Sequence, residues 1–261
     1  MTDLLYRVEN AVATIQLNRP EHKNSFTLEM IDEWAARLEQ AGSDPEVGAI
    51  VTTGSGDSFC AGVDLNVMTA LQQRRSALEW KKVLWERVHK VAFALERIDK
   101  PVIAAINGVA VGAGMDMALM CDIRYAAQSA RFAETYIKVG LVPGAGGAHF
   151  LPRLVGVSKA LELFFTGDFV DAQEALRLGI VNRVFPDATL MPEVEAIARR
   201  MCEAPPLTLR MIKRAVYQGM RNDLRTNLDL ISSHYAIITA SQEHKDLVRR
   251  FIAARAKKRV D

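Results

Sequence analysis

Two stretches of the chain share a design that could do chemistry. Residues 49–65, AIVTTGSGDSFCAGVDL, run from an apolar strand through a glycine-rich turn to Ala61-Gly62-Val63-Asp64-Leu65. Residues 102–117, VIAAINGVAVGAGMDM, repeat the plan and end on Ala113-Gly114-Met115-Asp116-Met117. Residues this small allow close backbone approach. The first amides of a helix lack internal partners and lie at the positive end of its dipole. Two such ends side by side would aim two N–H groups at one oxygen. That arrangement holds a carbonyl as it becomes an enolate or a tetrahedral anion. Asp116, a lone acid in an apolar run, would then wait one helical turn away to move a proton. Burial would raise its pKa and the helix terminus would lower it. Either copy alone equally fits a structural turn with a capping aspartate; the repetition is what gives the functional reading weight.

Competing chemistries lack their residues. Gly108, Gly112 and Gly114 give GxxxGxG rather than the dinucleotide pattern GxGxxG, and no GxxxxGK[ST] phosphate loop occurs. A GxSxG nucleophile elbow is absent. The histidines at 22, 89, 149, 234 and 244 form no metal-ligand spacing, so no metal is expected. His149 alone lies near candidate chemistry, and it reads as a polar surface residue. Cys60, Cys121 and Cys202 are scattered without a CxxC pair, which argues against disulfides or structural zinc and fits a reducing cytoplasm. The C-terminal RAKKRV reads as a solvated tail or a phosphate contact.

Composition and hydrophobic pattern set the framework around these residues. Lys+Arg 33 against Asp+Glu 31 gives a formal net charge of +2, so charge gives no reason to expect a nucleic-acid partner. No apolar run reaches the roughly 18 residues of a membrane span, and MTDLLYRVEN is no signal peptide. Strands are expected at 4–8 and 11–17 around a Glu9-Asn10 turn, then at GAIVTTG, PVIAAI and 123–126. Leu28, Ile31, Ala35 and Leu38 recur at helical spacing, and 74–98 reads as one long helical region burying Leu78, Val83, Leu84, Val88, Val91 and Leu95. Strands alternating with helices imply an α/β fold with parallel strands. After Leu190 only helical patterns remain, so a core over 1–195 and a helical region over 196–261 are expected. Leu228, Ile231, Tyr235, Ile238, Leu247 and Phe251 give that region more apolar face than one helical layer can bury, which predicts oligomerisation.

The chain resembles the crotonase, or enoyl-CoA hydratase/isomerase, superfamily. The likeness rests on NRPEHKNSF, VGAIVTTGSGDSFCAGVDL, KPVIAAINGVAVGAGMDMALMCDIRYAA, FAETYIKVGLVPGAGGAHFLPRLVG and FTGDFVDAQEALRLGIVNRVFP, in family order from about residue 5 to 190. It implies a crotonase-like spiral of ββα units with a helical C-terminal oligomerisation region, assembled as a trimer or a dimer of trimers. It also implies an acyl-CoA substrate, a thioester enolate, and no cofactor beyond the coenzyme A of the substrate. The family's oxyanion-hole amides fall on Val63 and Ala113, the latter commonly glycine. CoA contacts map to His22, Lys23, Asn24 and Ala61, to Asn66 where a lysine is common, and to Arg255, Lys257 or Lys258 for phosphate.

The acid–base positions depart from the hydratase pattern. Hydratases carry glutamates where this chain has Asp116 and Tyr136. Tyr136, with a reference pKa of about 10, donates a hydrogen bond but is a poor base near neutral pH. The dienoyl-CoA isomerase branch uses aspartate at 116 with further acids at the places of Tyr136 and Gly144. Glu134 reads either as the replacement second acid or as a surface or capping glutamate. Hydration and isomerisation both stay open, as do a non-catalytic acyl-CoA binder and a thioester hydrolase; turnover separates them.

Overall fold

A computed structural model describes residues 2–74 and 76–257. Its chain divides into two compact units, Met1–Met201 and Cys202–Asp261. Among the described residues of the first unit, ten strands form two sheets. The larger sheet holds β1 (Leu4–Glu9), β2 (Val12–Leu17), β3 (Ala49–Gly54), β5 (Val102–Ile106), β7 (Ile123–Ala127) and β10 (Arg183–Phe185), in that order. All neighbours but β1 and β2 run parallel. The smaller sheet holds β4 (Ser58–Cys60), β6 (Val109–Val111), β8 (Arg131–Ala133) and β9 (Val170–Asp171). After the β1–β2 hairpin, β3, β5 and β7 in the large sheet are followed in turn by β4, β6 and β8 in the small one, as in a spiral of ββα units. The two central strands of the large sheet, β3 and β5, are buried throughout, which is why they read as unbroken apolar runs.

Local chemistry explains where the expected elements shift. The β1–β2 turn falls on Asn10-Ala11, both with positive φ, rather than on Glu9-Asn10. Two left-handed residues make the twist that a two-residue hairpin needs, so Glu9 stays in the strand opposite Val12. Helix Leu28–Ser43 starts on a Thr27 cap to the Met30 amide and buries Met30, Ile31, Trp34 and Leu38. The region expected as one helix over 74–98 is interrupted. Helices Ala77–Val83 and Lys90–Arg97 flank a π-helical turn at Leu84–Val88. Val83, Val88, Val91 and Leu95 are buried as expected, but Leu78 is exposed.

The second unit contains helices Pro206–Gly219, Leu224–Ala240 and Gln242–Lys257. Asp223 caps the middle one through the Arg225 and Thr226 amides. Leu228, Tyr235, Leu247 and Phe251 are exposed.

Candidate active site

The small sheet brings the two glycine-rich turns together. Strand β4 pairs with β6 and β6 with β8, all parallel. The residues just past each strand, Ala61-Gly62-Val63, Gly112-Ala113 and Glu134, thus emerge along one edge. A side chain at Gly114 would put its Cβ 2.0 Å from the Cys60 carbonyl oxygen, so only glycine fits that crossing. Gly62 lies opposite, where a Cβ would be 3.5 Å from the Ala113 amide nitrogen.

Ala113 opens the helix Ala113–Leu119, and Gly112 before it takes the left-handed φ of 51°. Glycine is demanded on either side, by the positive φ at 112 and the close crossing at 114, while alanine at 113 keeps its amide. Val63 sits in an isolated parallel bridge with Phe26. There the Phe26 amide donates to the Gly62 carbonyl and the Asp64 amide to the Phe26 carbonyl. In a parallel bridge of this kind the intervening residue's own N–H faces the other side, so the Val63 amide turns away from Phe26.

The aspartates of the two copies meet different fates. Asp64 is buried and lies 3.0 Å from the Arg19 guanidinium, while accepting from the Asn66 amide at 2.8 Å. It braces the loops. Asp116 is fully buried, with no basic partner among the described residues. Its Oδ2 accepts from the Tyr136 hydroxyl at 2.7 Å and from the Ala145 amide at 3.1 Å. Burial raises its pKa, outweighing the Tyr136 phenol and the neighbouring amides, which lower it.

Glu134 is neither a surface residue nor a cap. It is 1% exposed, and its side chain makes no capping bond to the 3-10 turn Thr135–Val139. Its carboxyl faces Asp116 over the backbone of Gly147. A Cβ built on Gly147 would lie 2.1 Å from Asp116 Oδ1 and 3.2 Å from Glu134 Oε1. Neither Asp116 Oδ1 nor either oxygen of Glu134 meets an ordinary donor. A proton held on Glu134 supplies the missing donor. Burial and then the adjacent Asp116 carboxylate push the Glu134 pKa up to about 10, so it is neutral near pH 7. Tyr136 is likewise held as a phenol by burial and by Asp116. Among these three groups only Asp116 is left to carry the negative charge.

The residues expected around coenzyme A are partly assembled. The Ala61 amide donates to the Lys23 carbonyl at 3.0 Å, which joins the His22–Asn24 turn to the first glycine-rich segment. His22 and Asn66 are exposed. Lys23 is exposed too, its ammonium 2.5 Å from Asp57. Asn24 is buried, with its amide donating to the Ser55 and Ser58 carbonyls and its oxygen accepting from the Arg19 amide. That side chain holds the loop, and with the Asn24 amide donating to the Arg19 carbonyl at 2.9 Å only its own carbonyl is left for a ligand. Arg255 lies in the second unit, 4.9 Å over the Phe251 ring. The Lys257 side chain and all of Lys258 fall outside the described residues. His149 is exposed, as a surface residue should be.

Sequence reasoning missed the Ala145 amide and Gly147, both in the GLVPGAGGAHF loop. Its glycine density was the available signal; which atom they face was not.

A fold built this way, with paired turns and a buried acid, is that of an acyl-thioester enzyme scaffold, and comparison with known proteins agrees. The sequence profile of the enoyl-CoA hydratase/isomerase family matches residues 7–258, and the chain belongs to that family. It is 35% identical to the crotonyl-CoA hydratase of Syntrophomonas wolfei, over 97% of this chain and 96% of that protein. It is 36% identical to the 1,2-epoxyphenylacetyl-CoA isomerase of Escherichia coli, over 98% and 97% respectively. The crystal structure of an enoyl-CoA hydratase from Mycobacterium smegmatis superposes with a TM-score of 0.90, at 32% identity and 97% coverage of both chains.

Proposed function

We propose that this protein hydrates or isomerises an enoyl-CoA thioester through an enolate, with Asp116 as the group that moves the proton. The observation that carries the reading is Asp116 itself. It is a buried carboxylate on the first turn of the helix whose leading amide is Ala113. The thioester oxygen is held by the Val63 and Ala113 amides, which act as an oxyanion hole where negative charge develops. Asp116 takes a proton from carbon or delivers one, while Tyr136 orients the carboxylate and Glu134 stays protonated beside it.

Isomerisation is the simpler use of this set. Tyr136, held as a phenol, stands where a typical hydratase has its second carboxylate, and moving a double bond requires only one group to remove and return a proton. Hydration is supported by the hydratase relatives. The coenzyme A moiety is bound through His22, Lys23, the Asn24 backbone carbonyl, Ala61 and Asn66. The three cysteines are thiols, which fits a cytoplasmic enzyme. Exposed apolar side chains on the second unit support a homotrimer or a dimer of trimers; light scattering at micromolar protein reads this directly, and a monomer contradicts it.

The test of the reaction is mass spectrometry of products from a panel of enoyl-, dienoyl- and saturated acyl-CoAs. Addition of water marks a hydratase, a mass-neutral shift an isomerase. Release of free coenzyme A, or no change with any ester, contradicts the reading.

A further inference from the structure

The π-helical turn and the glycine-rich loop meet at one peptide unit. His89 Nε2 lies 2.8 Å from the Gly144 carbonyl oxygen. A carbonyl can only accept, so that ring nitrogen carries the hydrogen. The N–H of the same peptide unit belongs to Ala145, and it donates to Asp116 Oδ2 at 3.1 Å. One planar group thus links the imidazole to the acid.

The local structure explains how His89 reaches that place. The His89 amide donates to the Leu84 carbonyl, five residues back, at 2.8 Å. This wider turn inserts a residue into the helix and rotates the residues beyond it, a device that recurs at functional sites. Trp85 and Phe93 then pack edge-on to the imidazole, with ring centroids 6.0 and 6.1 Å away. Leu84, at the start of the π turn, approaches Gly144 itself. Arg87 and Lys90, the charges flanking His89, are both engaged by Asp32 at 2.5 and 2.7 Å.

We propose that His89 is a positioning residue for Asp116, acting through the Gly144–Ala145 peptide. The inference rests on Asp116 being the proton-transfer group. Donation to the Gly144 oxygen fixes the peptide plane and polarises it, which strengthens donation from the Ala145 amide. That amide favours the charged form of Asp116 against burial. The other titratable groups facing Asp116 are Tyr136 and Glu134, and His89 touches neither through this link.

The experiment compares His89→Phe, His89→Asn and His89→Gln with the wild-type protein. Glutamine can place a donor where Nε2 was; asparagine falls short of it. His89→Phe and His89→Asn should lower kcat by about 3- to 10-fold, the worth of one hydrogen bond, with KM within about twofold. The acidic limb of their kcat profile should move to higher pH, because ionised Asp116 has lost support. His89→Gln should recover most of both. Nitrogen NMR of the wild-type protein should show His89 bearing hydrogen on Nε2. Wild-type kcat and pH profile in the Phe and Asn variants, a Gln variant as impaired as they are, or a bare Nε2 would each overturn the proposal. Asp116→Asn is measured alongside. If it turns over at the wild-type rate, the reading of Asp116 falls and the role of His89 with it. If it is inactive while the Phe and Asn variants match wild type, only the role of His89 falls.

Discussion

Placing a methyl group on Gly147 should disable the site while leaving the fold in place. Gly147 opens the helix Gly147–Val155, and its φ is not in the left-handed region, so alanine suits its backbone. The obstacle is what the methyl meets: Asp116 Oδ1 at 2.1 Å and Asp116 Cγ at 3.0 Å. Ordinary contact begins at 3.4 Å, so the oxygen must retreat by about 1.3 Å. The carboxylate is the end of a side chain and can move, but only by leaving the Tyr136 hydroxyl and the Ala145 amide. Losing two hydrogen bonds costs about 1–3 kcal/mol of stability. The kinetic cost is larger, because misplacing a catalytic group by about 1 Å can lower the rate about 10²-fold, or about 2.7 kcal/mol of barrier. Steady-state kinetics on an enoyl-CoA substrate, beside a thermal melt, reads both quantities. A Gly147→Ala variant with kcat within about twofold of wild type would refute the claim that Asp116 works from this position.

Tyr136→Phe removes one donor from Asp116 and leaves the Ala145 amide; kcat should fall only about 2- to 10-fold, with the acidic limb of the pH profile shifted upward, as steady-state kinetics across pH would reveal. Glu134→Gln preserves shape and a donor but cannot ionise. Folded Glu134 keeps its proton up to about pH 10, whereas an unfolded glutamate loses it near about 4.3. Wild-type stability should therefore fall as pH rises between those values. The Glu134→Gln variant should gain on wild type from pH 5 to 9 in thermal melts, and a constant gap would contradict a buried neutral acid.

Much of the site was legible because its parts are local. The paired AG-x-D turns and the flanking apolar runs announce parallel strands ending at close backbone crossings, and Gly114 against the Cys60 carbonyl is such a crossing. The short strands β4, β6, β8 and β9 were not legible, since two or three residues carry no alternation to read. The π turn was hidden for a related reason: Val83, Val88, Val91 and Leu95 satisfy a continuous helix as well as an interrupted one. Asp64 and Asp116 look alike in sequence. What separates them is Arg19, brought to one and not the other by the fold. Glu134 is ambiguous in sequence because its burial depends on Gly147 and Asp116 arriving from other elements.

The central claim is that Asp116 moves a proton to or from carbon in a bound acyl-CoA. It is tested most directly by running wild type and Asp116→Asn with enoyl-CoA in deuterated water and following deuterium in the product by mass spectrometry. The account predicts that hydration places one solvent deuterium on carbon in the wild-type product, whereas isomerisation, in which Asp116 returns the proton it removed, places fewer than one per turnover. It predicts a rate lower by about 10²–10⁴-fold in Asp116→Asn, with acetoacetyl-CoA binding largely kept. Deuterium incorporation by Asp116→Asn at the wild-type rate would contradict it.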